Sequence, residues 1–192
     1  MDPKIPEMAE ALASAAAQLD GARLEDLDAL AAAVVSALAD GRTVYVCGNG
    51  GSAADAQHVA AELVGRFRRA GRRALPCVAL TTDTSILTAV GNDFSFQEVF
   101  SRQVEALGRA GDVLWAMSTS GASGNVLAAA AAARARGMTV VAMTGPAGGQ
   151  LADAAEVAFR APGATSDVVQ QMHQFAYHVV CEIVDAHFAA DG

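Results

Sequence analysis

From residue 43 onward, five short apolar runs alternate with helical stretches, and this alternation restricts the fold more than any other feature. Strands are predicted at 43–47, 76–80, 112–117, 138–143 and 155–160, and helices at 53–66, 84–90, 96–108, 123–136 and 166–189. Runs such as Val44-Tyr45-Val46-Cys47 and Val113-Leu114-Trp115-Ala116-Met117 are apolar throughout rather than alternating. Strands of that kind are buried on both faces, as in a parallel sheet covered by helices. Right-handed crossovers then give an α/β fold with a doubly wound, five-stranded parallel sheet sandwiched by helices, and the order expected for it is the flavodoxin-like 2-1-3-4-5. Residues 5–40 are helical in composition, with Asp20-Gly21 as the break between two N-terminal helices. A chain of 192 residues makes one domain the default, with 1–40 as a helical segment and 41–192 as the α/β core.

A net charge of −8 argues against a basic nucleic-acid groove. The one basic cluster (Arg66, Arg68, Arg69, Arg72, Arg73) reads as a solvated surface or a contact between subunits. Cys47, Cys77 and Cys181 lie in apolar runs with no pairing logic, which points to buried reduced thiols and a cytoplasmic protein. The first residues show no basic segment leading into an apolar one, so no signal peptide is expected. No uncharged apolar run reaches about eighteen residues, so no membrane span is expected either.

Chemistry concentrates in residues 48–62, GNGGSAADAQHVAAE. Gly48, Gly50 and Gly51 follow the first strand and allow backbone N–H groups to approach a ligand closely. Ser52 is a candidate N-cap, and the helix behind it would offer free donors to an anion. His58 and Glu62 lie four apart on one face of that helix, among apolar neighbours. Burying such groups without partners costs about 1–3 kcal/mol each, more for a charge, so something must satisfy them.

A second turn, Ser118-Thr119-Ser120-Gly121-Ala122-Ser123, follows the third strand. Three serines, a threonine and a helix start can hold a phosphate without a lysine. In a 2-1-3-4-5 sheet the loops after strands 1 and 3 meet at the switch point, where ligands bind. On the last helix, Gln170 shares a face with His173 or His178, at about 60° and 80°. Spacing leaves that choice open. Gly91-Asn92-Asp93-Phe94, with Ser95 as a cap, reads as a turn whose Asn92 and Asp93 could accept from sugar hydroxyls.

These stretches together resemble the sugar isomerase (SIS) domain family, and within it the phosphoheptose isomerases. The resemblance runs over roughly residues 40–190, through GNGGS at 48–52, DAQHVAAEL at 55–63, GNDF at 91–94, FSRQVEALGRAGDVL at 100–114, STSGAS at 118–123 and SDVVQQMHQFAYH at 166–178. It implies one Zn2+ per subunit on His58, Glu62, Gln170 and His178, with His173 a bystander. It also implies sugar-phosphate contacts at Asn49, Gly50, Gly51, Ser52, Glu62, Asn92, Asp93, Ser118, Thr119, Ser120, Ser123 and Gln170. The implied reaction interconverts sedoheptulose 7-phosphate and D-glycero-D-manno-heptose 7-phosphate through an enediol, with Glu62 and His178 as acid/base pair. Heptose supply for lipopolysaccharide, and a homotetramer with sites at subunit interfaces, are implied likewise. Ala53, Ala54, Ala61, Ala122 and Gln171 depart from the family's frequent residues.

Two rivals compete with an isomerase. One is a non-catalytic SIS homologue that regulates replication initiation through DnaA; that pattern lacks the Glu and the final His present here as Glu62 and His178. The other is a dinucleotide-binding oxidoreductase, since residues 48–53 fit G-x-G-x-x-A. The acidic residue that motif wants about twenty positions later is missing, and Asp83 comes thirty after Ala53.

Overall fold

The computed structural model describes residues 2–189. Five segments extend as strands: β1 (Val44–Cys47), β2 (Cys77–Ala79), β3 (Val113–Ser118), β4 (Thr139–Thr144) and β5 (Val157–Arg160). All pairings are parallel, in the order β2-β1-β3-β4-β5. The expected topology is the one observed. Helices α1 (Lys4–Ala16) and α2 (Gly21–Ala39) precede the sheet. Asp20 separates them as N-cap of α2, its carboxylate accepting from the Arg23 amide. The crossovers carry α3 (Gly51–Val64), α4 (Thr84–Asp93), α5 (Ser101–Leu107), α6 (Gly124–Ala135) and α7 (Gly149–Ala154), and α8 (Ser166–Ala189) ends the described chain.

Side chains alternate across each strand and so feed two cores. Val44, Val46, Trp115, Met143 and Phe159 meet α2, α3 and α8 through Leu30, Val34, Val59, Leu63, Tyr177 and Val180. Cys47, Leu114, Ala116 and Val140 meet the other helices through Val104, Val126, Ala129, Ala133 and Leu151. Each fully buried Val or Leu contributes about 1.5–3 kcal/mol. Small alanines on α6 let that helix sit close to the sheet. All three cysteines are buried and unpaired; burial pushes the Cys47 and Cys181 thiols up to about 12, so they stay protonated and inert.

Several local expectations change. Gly50, not Ser52, is the N-cap of α3: its φ of 55° turns the chain into the helix early, and Ser52 is buried in the first turn. The expected helix 96–108 divides into a 3-10 turn, Phe96–Glu98, and α5. The expected turn at 91–93 is instead the last turn of α4. Ser95 bonds the Glu98 carboxylate rather than capping through its side chain. Helix α7, between glycines 148 and 149 and Ala155, was not expected at all.

The basic cluster is not uniformly surface. Arg72 is buried and paired with the equally buried Asp185 of α8 at 2.9 Å. Its guanidinium also donates to the Glu62 and Leu63 carbonyls at the end of α3. Arg68 and Arg69 face Glu182, so this stretch ties α3 to α8 rather than standing free in water.

Candidate active site

Packing of α3 against α8 decides which side chains meet. Spacing four apart puts His58 and Glu62 on one face of α3, where His58 Nε2 lies 3.0 Å from Glu62 Oε1. Across the helix interface, His178 approaches edge-on to His58, with ring centroids 5.1 Å apart. One ligand-capable atom from each of His58, Glu62 and His178 lies within 4.8 Å of the others. Two imidazoles and a carboxylate gathered this closely fit Zn2+ in donor type and leave room for a further ligand. Burial, then the neighbouring His58, pushes the His178 pKa down, which favours the neutral ring that a metal or a proton shuttle needs.

Of the two histidines that spacing left open on α8, His178 joins the cluster. His173 is fully buried and its Nε2 meets the Thr144 carbonyl at the end of β4, 3.0 Å away. Gln170 stands eight residues before His178, about 12 Å along the helix axis. Its amide lies against Gly51 at the start of α3, where any Cβ would collide with it. Because the backbone of Gly51 is not left-handed, Gly51→Ala tests this approach alone. Gln170 is the end of a flexible side chain and will swing aside while the fold persists. We expect kcat/KM to fall about tenfold, or about 1.4 kcal/mol in transition-state terms, with an unchanged melting midpoint.

The two glycine- and serine-rich loops meet at the switch point, as the topology requires. Asn49 after β1 and Asn125 at the start of α6 exchange reciprocal side-chain hydrogen bonds of 2.8 Å. Ser118 Oγ sits 2.9 Å from Ser123 Oγ and 3.3 Å from Ser120 Oγ. Ser123 is the N-cap of α6 but leaves the helix amides free, so those donors remain for an anion. Thr119 gives its carbonyl to the Gly145 amide, tying the loop to the end of β4. Gly48, Asn49, Gly50, Ala53 and Thr81 line an open cleft of about 160 Å³ together with Phe96, Val99 and Phe100. Asn92 and Asp93 are exposed at the end of α4, where Asn92 donates to Asp93 at 2.7 Å. Among the described residues they make no hydrogen bond to the cluster.

Sequence reasoning missed Asn125, Asp55 and Tyr177. Asp55 is buried on α3 with Oδ1 accepting from Gln174 and Oδ2 unpartnered, and burial pushes its carboxyl up. The hydroxyl of Tyr177, on α8, lies 2.9 Å from His58 Nδ1. Each of these links joins residues 76 to 119 positions apart, so no local pattern announces it.

A 2-1-3-4-5 parallel sheet with a serine-rich loop after its third strand is the architecture of SIS domains, and the SIS domain family model matches residues 8–145. Curated relatives named phosphoheptose isomerase include those of Roseiflexus sp. (53% identical over 82% of this chain and 79% of the relative) and Rhodospirillum rubrum (54% over 81% and 82%). Solved phosphoheptose isomerases from Neisseria gonorrhoeae and Francisella tularensis superpose with TM-scores of 0.88 and 0.91. They are 41% and 36% identical, and cover 95% of this chain with 98% and 97% of theirs. The chain belongs to the SIS domain family, within it to the phosphoheptose isomerases.

Proposed function

We propose that this protein is a zinc-assisted isomerase that interconverts sedoheptulose 7-phosphate and D-glycero-D-manno-heptose 7-phosphate. The observation that carries this reading is the convergence of His58 and Glu62, on the helix that starts at the first ligand loop, with His178 of α8. His58 lies seven residues along α3 from Gly51, about 10 Å of rise. That span suits a substrate whose phosphate sits at the loops and whose carbonyl reaches the cluster. The family and the names of its relatives support the same substrate class.

The chain's own groups account for each requirement of the reaction. Ser118, Thr119, Ser120 and Ser123, with the free amides of α6, hold the phosphate. Asn49, Gly50, Gly51 and Ser52 border the adjoining turn and the sugar chain. Glu62 removes the proton from the carbon beside the carbonyl and returns it one carbon over, and His178 carries the proton between the two oxygens. When bound by His58, Glu62, His178 and Gln170, zinc supplies Lewis-acid polarisation of the substrate oxygens. Gln170, whose amide lies against Gly51 at the start of α3, would be the fourth member of that set. Asn92 and Asp93, exposed at the end of α4, are proposed to meet substrate across a subunit boundary in a homotetramer.

We place the enzyme in the cytoplasm, supplying heptose for lipopolysaccharide; no described helix is long and apolar enough to cross a membrane. The alternative is a non-catalytic SIS homologue acting on replication initiation via DnaA. The clustering of Glu62 and His178 with His58 favours the enzyme. A coupled assay with sedoheptulose 7-phosphate, with and without chelator, on wild type and His178→Ala decides between them. Turnover lost on chelation, restored by zinc and absent in His178→Ala is the expected result. No turnover in zinc-loaded wild type would sink the enzymatic reading.

A further inference from the structure

The geometry assigns Tyr177 as the positioning residue that sets the His58 ring, holding Nδ1 so that Nε2 is the nitrogen presented to Glu62 and to the metal. This inference rests on the proposed metal site. The two ring nitrogens of His58 already have different partners: Nδ1 faces the Tyr177 hydroxyl at 2.9 Å and Nε2 faces Glu62 Oε1 at 3.0 Å. An imidazole has no third polar atom, so these two contacts fix its rotation completely. Nε2 and Glu62 Oε1 thus stand side by side, close enough for both to ligate one cation, and Nδ1 points away from them.

A ring that binds metal through Nε2 carries its proton on Nδ1 and needs an acceptor there. Among the described residues the Tyr177 hydroxyl is the group within hydrogen-bond distance of that nitrogen. Tyr177 is fully buried and packs edge-on against both histidines, with centroids 5.3 Å from His58 and 4.6 Å from His178. Its ring cannot drift from this position without disturbing the core around α8. A phenolic hydroxyl can accept as well as donate, so it can serve as the partner of a protonated Nδ1. The adjacent residue, His178, is itself in the cluster, so one step of α8 supplies both a ligand candidate and the support for the ligand on α3.

Tyr177→Phe removes the hydroxyl and keeps the ring. In competition with a chromophoric chelator, Zn2+ should bind this variant about 10–100-fold more weakly than wild type, the usual effect of losing an outer partner. Turnover at saturating zinc should recover to within a few-fold of wild type. In zinc-loaded wild type, nitrogen-15 NMR should show His58 with a proton on Nδ1 and metal on Nε2. Zinc affinity within twofold of wild type in a folded Tyr177→Phe, or metal on Nδ1 in wild type, overturns the assignment. A variant that only melts earlier, with zinc affinity unchanged, gives Tyr177 a packing role and overturns it too. Should Tyr177→Phe not fold, the nitrogen assignment in wild type decides alone. Wild type that takes up no zinc removes the metal site itself, and the two failures are thereby told apart.

Discussion

Glu62→Gln is expected to lower kcat by about 10²–10⁴-fold at saturating zinc, the usual contribution of a positioned acid/base group. Glutamine matches glutamate in shape and keeps an oxygen for a cation, but it cannot take a proton from carbon. The two roles proposed for Glu62 thus come apart in one variant. A loss confined to metal holding would vanish when zinc is added in excess. A loss of the base would persist at every zinc concentration, with KM nearly unchanged. Glu62 is placed for both: its side chain is 19% exposed, open enough to reach a substrate, and Oε1 is 3.0 Å from His58 Nε2. Its backbone carbonyl is held separately by Arg72, so the substitution should leave α3 and the melting midpoint in place. Near-normal turnover in a folded Glu62→Gln would strip the residue of its part in proton transfer.

How much of this could be read from the sequence varies with the physical scale of each feature. The five strands were legible as short, mainly apolar runs, and their parallel pairing followed from the helices between them, whereas crossover handedness alone does not select the order 2-1-3-4-5. His58 and Glu62 were legible as a pair because a helix enforces their shared face. Which histidine of α8 joins them came from the family resemblance and not from helix spacing. Gln170, His173 and His178 occupy overlapping faces of one helix, and only packing sends His173 to the Thr144 carbonyl and His178 to His58. The start of α3 was misread because a serine is the better side-chain cap, whereas Gly50 wins by reaching a φ of 55°. Helix α7 escaped because six residues are too few to show a period. The Asn49–Asn125 and His58–Tyr177 contacts have no local signature, since their partners are brought together by the sheet and by α3 crossing α8.

The same interface yields the largest expected effect on stability, at Asp185. Both Asp185 and Arg72 have side chains only 1% exposed, and they meet at 2.9 Å. Asp185 also accepts the backbone amides of Arg68 and Arg69 at 2.9 and 2.8 Å. Burial pushes its carboxyl up, but Arg72 and the amides of the 67–69 turn outweigh that and hold it at about 2. Asp185→Ala leaves the Arg72 charge buried without its partner and two amides without an acceptor. The expected cost is about 3–5 kcal/mol, which lowers the melting midpoint by roughly 10 °C in a chain of this size. The folded carboxyl lies below its ordinary value of 3.8, so its contribution is full above about pH 4 and fades as pH falls through 2. Denaturant unfolding from pH 7 to pH 2 should therefore show a loss of roughly 2 kcal/mol in wild type that is missing in the variant. Arg72→Met combined with Asp185→Leu should recover part of the stability, since an apolar pair can replace a buried ion pair. It should not recover all of it, because the 67–69 turn still lacks its acceptor. A cost below about 1 kcal/mol for Asp185→Ala, in the range of an exposed pair, would show that water reaches this contact and that α3 is held to α8 by apolar packing alone.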